Sequence, residues 1–143
     1  MKDEYFHKIM ASFPTRIEFD RKTASNRKAF VLLNSIHLCS MLFILSSTIK
    51  NQANPAFLIF NILSIAIAII LVHKKRNLGA EIAVFSYALQ LIHGIFSPGF
   101  QFYVILLFVL FFFSTSARVN LALIDRVERE GYDFRESKNP PAV

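Results

Sequence analysis

The chain has 143 residues, of which 54% are hydrophobic and only 18% charged, with a formal net charge of +6. A water-soluble domain carries about 25% charged residues, so the composition argues against an ordinary soluble enzyme or binding domain. The single cysteine, Cys39, excludes a disulfide framework and a paired-thiol oxidoreductase.

Residues 1–28 form a polar N-terminal segment. Within it Tyr5, Phe6, Ile9, Met10 and Phe13 recur at helical spacing, with Lys2, Asp3 and Lys8 elsewhere. That pattern predicts a short amphipathic helix ending near Pro14. It would lie in the inner headgroup layer, on a partner, or on the end of its own helical bundle. Asp3, Glu4, Glu18 and Asp20 precede any apolar run, so no cleavable signal peptide is expected.

Four apolar stretches follow, at residues 29–49, 53–72, 80–97 and 101–117. Each is close to the roughly 20 residues a helix needs to cross about 30 Å of hydrocarbon. The breaks between them are short: residues 50–54 leading into Pro55, residues 73–79, and Ser97-Pro98-Gly99. Short links make consecutive helices antiparallel neighbours. The expected fold is therefore all-α and polytopic, with four antiparallel transmembrane helices. Among the tyrosines, only Tyr103 falls where a membrane-interface aromatic belongs.

The fourth helix is expected to continue past the membrane. No Gly or Pro interrupts residues 116–130, Asp125/Arg129 and Arg126/Glu130 are i,i+4 ion pairs, and Gly131 is a natural C-cap. Val119, Leu123 and Val127 then form an apolar stripe outside the bilayer, expected to bind a partner. The organisation read from these signals is a cytoplasmic segment 1–28, a bundle with its extension at 29–130, and a disordered tail 131–143 containing Pro140-Pro141.

Lys and Arg set the orientation. Seven precede the first stretch, three (Lys74, Lys75 and Arg76) separate the second from the third, and five follow the fourth; only Lys50 lies on the opposite side. Cytoplasmic loops carry such an excess, which predicts an inner (plasma) membrane protein with both termini cytoplasmic. The same placement, with attraction to anionic lipid, accounts for the net charge without a nucleic-acid partner.

The groups able to carry chemistry are few. Ser86, Gln90, His93 and Ser97 form a polar stripe along the third apolar stretch, and Asn34, His37 and Asn61 add polar positions on the first and second. Exposing such a stripe to lipid costs several kcal/mol. It must line a pathway or hydrogen-bond to other helices, within the chain or across an oligomer. His37 and His93 differ in expected depth, which disfavours a shared haem. No carboxylate lies mid-stretch, and no metal cluster, Ser/His/Asp set or glycine-rich phosphate loop is present, so no cofactor and no enzymatic activity are expected. The expected function is a homo-oligomeric membrane module (a pore, a channel or a membrane-perturbing effector) coupled to a cytoplasmic protein. The alternatives are a non-conducting accessory or immunity-type subunit and, more remotely, a haem- or quinone-binding anchor.

Overall fold

The computed structural model describes residues 3–13, 15–51, 54–95, 101–132 and 134. They form five helices: α1 (Asp3–Met10), α2 (Arg16–Lys50), α3 (Ala56–His73), α4 (Asn77–Ile95) and α5 (Gln101–Glu130). Among the described residues, three helical segments, Arg16–Lys50, Ala56–His73 and Tyr103–Glu130, are long and apolar enough to cross a membrane. Asn77, Glu81, Gln90 and His93 interrupt the apolar run of α4. Packing follows chain order, α2 on α3, α3 on α4 and α4 on α5, with α5 returning to α2.

α2 begins thirteen residues before the first apolar stretch. Thr15 caps it, its side-chain oxygen accepting from the Glu18 amide at 3.2 Å. Thr15 and Glu18 have the spacing of a capping box, which satisfies N-terminal amides left without helical partners. The 35 residues of α2 span about 52 Å at 1.5 Å per residue, well beyond a hydrocarbon core. α3 ends in a Schellman arrangement: the Lys75 amide donates to the Val72 carbonyl and the Arg76 amide to that of Leu71. Lys75 adopts a φ of 58° to make this turn. α5 runs to Glu130, and Gly131 takes a φ of 62°. The Arg126–Glu130 ion pair closes at 2.7 Å, and Arg129 pairs with Asp125.

The side-chain distribution is the reverse of a soluble bundle. Phe43 is 79% exposed and Phe112 71%, while Asn34 and Ser86 are fully buried. On α3, Phe60, Leu63, Ile67 and Ile70 face outward and Asn61 faces in. Large apolar side chains are exposed on α2, α3, α4 and α5 alike, whereas soluble monomers rarely leave extended apolar surface open.

Two apolar clusters fill the interior. The larger joins Phe30, Met41, Ile65, Ala68, Val72, Ala80, Ala83, Leu110, Ala117 and Leu121 between α2–α5. Small residues bring α3 and α4 together. A Cβ on Gly79 would sit 2.7 Å from the Ala68 carbonyl oxygen and 2.8 Å from the Val72 nitrogen. Both are backbone atoms that cannot swing aside. Beside this contact, Arg118 of α5 pairs with Glu81 of α4 at 3.4 Å, and Asn77 donates to Glu81 at 3.1 Å. Arg118, just past the fourth apolar stretch, thus has a partner within the chain.

The smaller cluster joins Phe6, Met10 and Phe13 to Phe19, Leu123, Val127 and Phe134, with Val119 packed against it. Arg126 stacks over the Phe6 ring at 4.2 Å, a cation–π contact. The expected end of α1 at Pro14, the link Ser97-Pro98-Gly99 and the tail from residue 135 lie outside the described residues.

Gly79→Ala tests the α3–α4 approach. Overpacking of this kind costs about 1–3 kcal/mol, so the apparent unfolding midpoint of the purified protein should fall. The outward-facing Leu63→Ala should leave it nearly unchanged. Equal midpoints for Gly79→Ala and wild type would rule out so close an approach.

Candidate functional site

The buried polar side chains converge between α2, α3, α4 and α5. Tyr87 of α4 donates through its hydroxyl to Asn34 Oδ1 of α2 at 2.5 Å, and Asn34 Nδ2 donates to its own helix at the Phe30 carbonyl, 2.8 Å. Ser86 donates to Asn61 Oδ1 of α3 at 2.8 Å, and Asn61 Nδ2 donates to the Phe57 carbonyl at 2.8 Å. Gln90 Nε2 donates to Ser86 Oγ at 3.3 Å, and Tyr103 of α5 donates to Gln90 Oε1 at 3.2 Å. One connected chain, Asn61–Ser86–Gln90–Tyr103, therefore ties α3, α4 and α5 together, and Asn34–Tyr87 ties α2 to α4.

Residues 86 and 90 of the expected stripe face these partners, as do Asn34 and Asn61. His37 lies among the same groups and is 2% exposed. Its ring centroid is 5.5 Å from that of Tyr87 and 5.9 Å from that of Tyr103. Neither ring nitrogen meets a partner in hydrogen-bonding geometry, and Gln90 is the polar side chain that approaches it. His93 is exposed and stacks on Phe57, ring centroids 4.6 Å apart and planes 21° from parallel. Ser97 lies outside the described residues.

A cavity of about 220 Å³ adjoins this network at the end of the bundle that carries Asn54. Asn61, Gln90, His93, Tyr103 and Thr48 give it polar walls, and Ile44, Phe57 and Leu58 give it apolar ones. Among the described residues no carboxylate, ammonium or guanidinium lines it. Towards the opposite end the interior is closed by Phe30, Ala68, Val72, Ala83, Ala117 and Leu121. Among the described residues, His, Cys, Asp and Glu side chains nowhere gather in threes able to hold a metal ion.

Two tyrosines separate this arrangement from the sequence expectation. Tyr103, read as an interface residue, turns inward, where its hydroxyl finds the Gln90 amide. Tyr87 was not singled out, yet it is fully buried and makes the shortest bond of the network. A tyrosine in an apolar helix needs a partner for its hydroxyl, and that was the signal available.

The residues expected to bind a partner are also located. Leu123 and Val127 are 2% and 1% exposed. They lie with Val119 in the cluster that includes Phe6 and Met10. The cover over this stripe comes from the chain's own first helix.

Compared with known protein families, curated proteins and solved structures, the chain matches none.

A double-mutant cycle of Asn34→Ala and Tyr87→Phe should give a coupling energy of about 0.6–1.7 kcal/mol, the range found for hydrogen bonds between membrane helices. Unfolding in detergent measures it. Strict additivity would mean that the two groups do not bond. Gln90→Leu, which strips partners from both Ser86 and Tyr103, should cost more than Leu89→Ala.

Proposed function

We propose that the chain is a four-span integral membrane protein, with antiparallel α2–α5 crossing the inner membrane and both termini cytoplasmic. It acts as a non-enzymatic, non-conducting module that binds a small uncharged molecule in an outward-facing cavity. The observation that carries this reading is the closure of the polar stripe on itself within one protomer. Asn34, Asn61, Ser86 and Gln90 spend their hydrogen bonds on each other, on tyrosines and on their own helices, and Asn61 and Gln90 wall a cavity whose far end is packed with apolar side chains.

This favours an accessory or binding role over a pore. A conducting assembly of several copies needs a wetted lining, and Ser86 and Gln90 of the stripe are turned inward. The outward surfaces of α3 and α5 are rows of Phe, Leu and Ile, suited to lipid or to apolar packing between copies. The α1 face buried against α5 similarly favours docking within the chain over a separate partner. A soluble partner would have to displace α1 or bind elsewhere. The cavity's uncharged amides, hydroxyls and imidazole beside Phe57 and Leu58 suit a neutral ligand with one polar edge and an apolar body. Its volume, below the roughly 300–1,000 Å³ of typical drug-sized sites, limits that ligand to a small one.

Two measurements test this. Reporter fusions should give a periplasmic signal at Asn51 and a cytoplasmic one at Val143; a cytoplasmic signal at Asn51 would overturn the orientation. In a Cys39→Ala background, Thr48→Cys should react with a membrane-impermeant maleimide added from outside, and Ala83→Cys should not react from either side. Labelling of both positions, together with step currents in planar bilayers, would establish a pore instead.

A further inference from the structure

A second groove lies at the opposite end of the bundle, between α1, α2 and α5. Its volume is about 440 Å³. Along α5 it follows one helical face from Phe112 and Thr115 to Ser116, Val119 and Asn120. It therefore starts within the apolar stretch and ends beyond Arg118, where the polar extension begins. Phe112, at 71% exposed, opens the starting end towards the lipid-facing surface. The other end is walled by Lys22 and Asn26 of α2 and by Ser12 after α1.

Lys22 is held in place there, its Nζ 5.2 Å from the centroid of the Phe13 ring. Among the described residues no carboxylate lines the groove. A neighbouring hollow shares Ser12, Phe13 and Lys22 and adds Arg21 and Glu18. Arg27 and Lys28 lie one to two turns further along α2. Asp20, the other acid on this stretch, is engaged by Arg16 at 3.1 Å.

We propose that this groove holds one anionic glycerophospholipid of the cytoplasmic leaflet, its phosphate at Lys22 and an acyl chain along Val119 and Phe112. The inference rests on the bilayer placement of α2–α5 proposed above, and not on the outward cavity. A groove that passes from apolar wall to ammonium, amide and hydroxyl within one helical face has the polarity of such a lipid. The apolar end has nothing to offer a free phosphate. The basic run on α2 supplies the field that favours an anionic over a zwitterionic headgroup. The bound lipid would bridge α1, α2 and α5 at the point where their shared apolar cluster begins.

Native mass spectrometry of the full-length protein, released from detergent, tests the assignment with phosphatidylglycerol and phosphatidylcholine of matched chains. One phosphatidylglycerol per protomer should bind at least about fivefold more tightly than phosphatidylcholine, the factor expected from one lysine at a headgroup. Lys22→Gln should remove most of that preference, and Asn26→Leu should weaken it without changing charge. Lys28→Gln, outside the groove, should leave it nearly intact. Phe112→Ala should weaken phosphatidylglycerol, and neither glycerol phosphate nor inorganic phosphate should displace it at millimolar concentration. Equal binding of the two lipids overturns the proposal, as do equal losses at Lys22 and Lys28, which would mean a diffuse basic surface. Displacement by inorganic phosphate would mean a site for a free anion. Reporter fusions that reversed the orientation would instead remove the bilayer placement itself, so the two failures are told apart.

Discussion

A polar side chain on an apolar helix must find its hydrogen-bond partner inside the protein, because hydrocarbon offers none. Most of this fold can be read as the answer to that constraint. Asn34 bonds to Tyr87, Asn61 to Ser86, and Gln90 to Tyr103. In every pair one member belongs to α4 and the other to a different helix. α4 is thus the hub, and the polarity that lowers its own hydropathy gives it that place. Each bond contributes modestly, about 0.6 kcal/mol on average in membrane proteins. Their joint effect is on register. Sliding α4 by one turn against α2, α3 or α5 would break at least one pair and leave two buried groups unsatisfied, at about 1–3 kcal/mol for each group.

The two ends of the bundle solve packing differently. Near the termini, Gly79, Ala68, Ala80, Ala83 and Ala117 let backbones approach, and the interior closes. The Glu81–Arg118 pair sits at that rim with both side chains about half exposed, where ion pairs contribute at most about 1 kcal/mol. It suits that rim because neither charge has to be buried. Near Asn54 the residues are larger and more polar, and a cavity remains. His37 marks the boundary between these regimes. It is packed between two tyrosines, with neither ring nitrogen in a hydrogen bond.

Helix content was legible because it depends on period and length alone. The apolar runs from 53, 80 and 101 correspond to helices beginning at Ala56, Asn77 and Gln101. The start of α2 was missed because its first thirteen residues are polar and carry no apolar run. The local chemistry of Thr15 and Glu18 marks that start more reliably than hydropathy does. The inward-facing polar residues were legible as a set, since Asn34, Asn61, Ser86 and Gln90 share the cost of facing lipid. Their pairing was not. Whether Gln90 meets Tyr103, Asn34 or a second copy depends on helix rotation and depth, and residue spacing within one helix fixes neither. Tyr103 shows the ambiguity clearly: at the end of a span the same side chain suits a headgroup or an inward amide, and the amide at 3.2 Å decides it.

The order of α1 follows from what it touches. Eight residues are too few for a helix to persist alone in water, where isolated helices shorter than about 12–15 residues are marginal. Its ordering must be offset by burial of Phe6, Met10 and Phe13 against Phe19, Leu123 and Val127, and by Arg126 over the Phe6 ring. The same apolar face would suit a headgroup layer. It can be buried in only one of these places at a time, and moving α1 to the membrane would uncover Leu123 and Val127. The stripe on α5 and the face of α1 are therefore two halves of one requirement. Each is an aggregation liability without the other, and only five residues of sequence separate α1 from α2. Burying both together removes more apolar surface from water than laying α1 on a membrane while α5 stays bare. That difference is the physical reason to expect the docked arrangement to predominate.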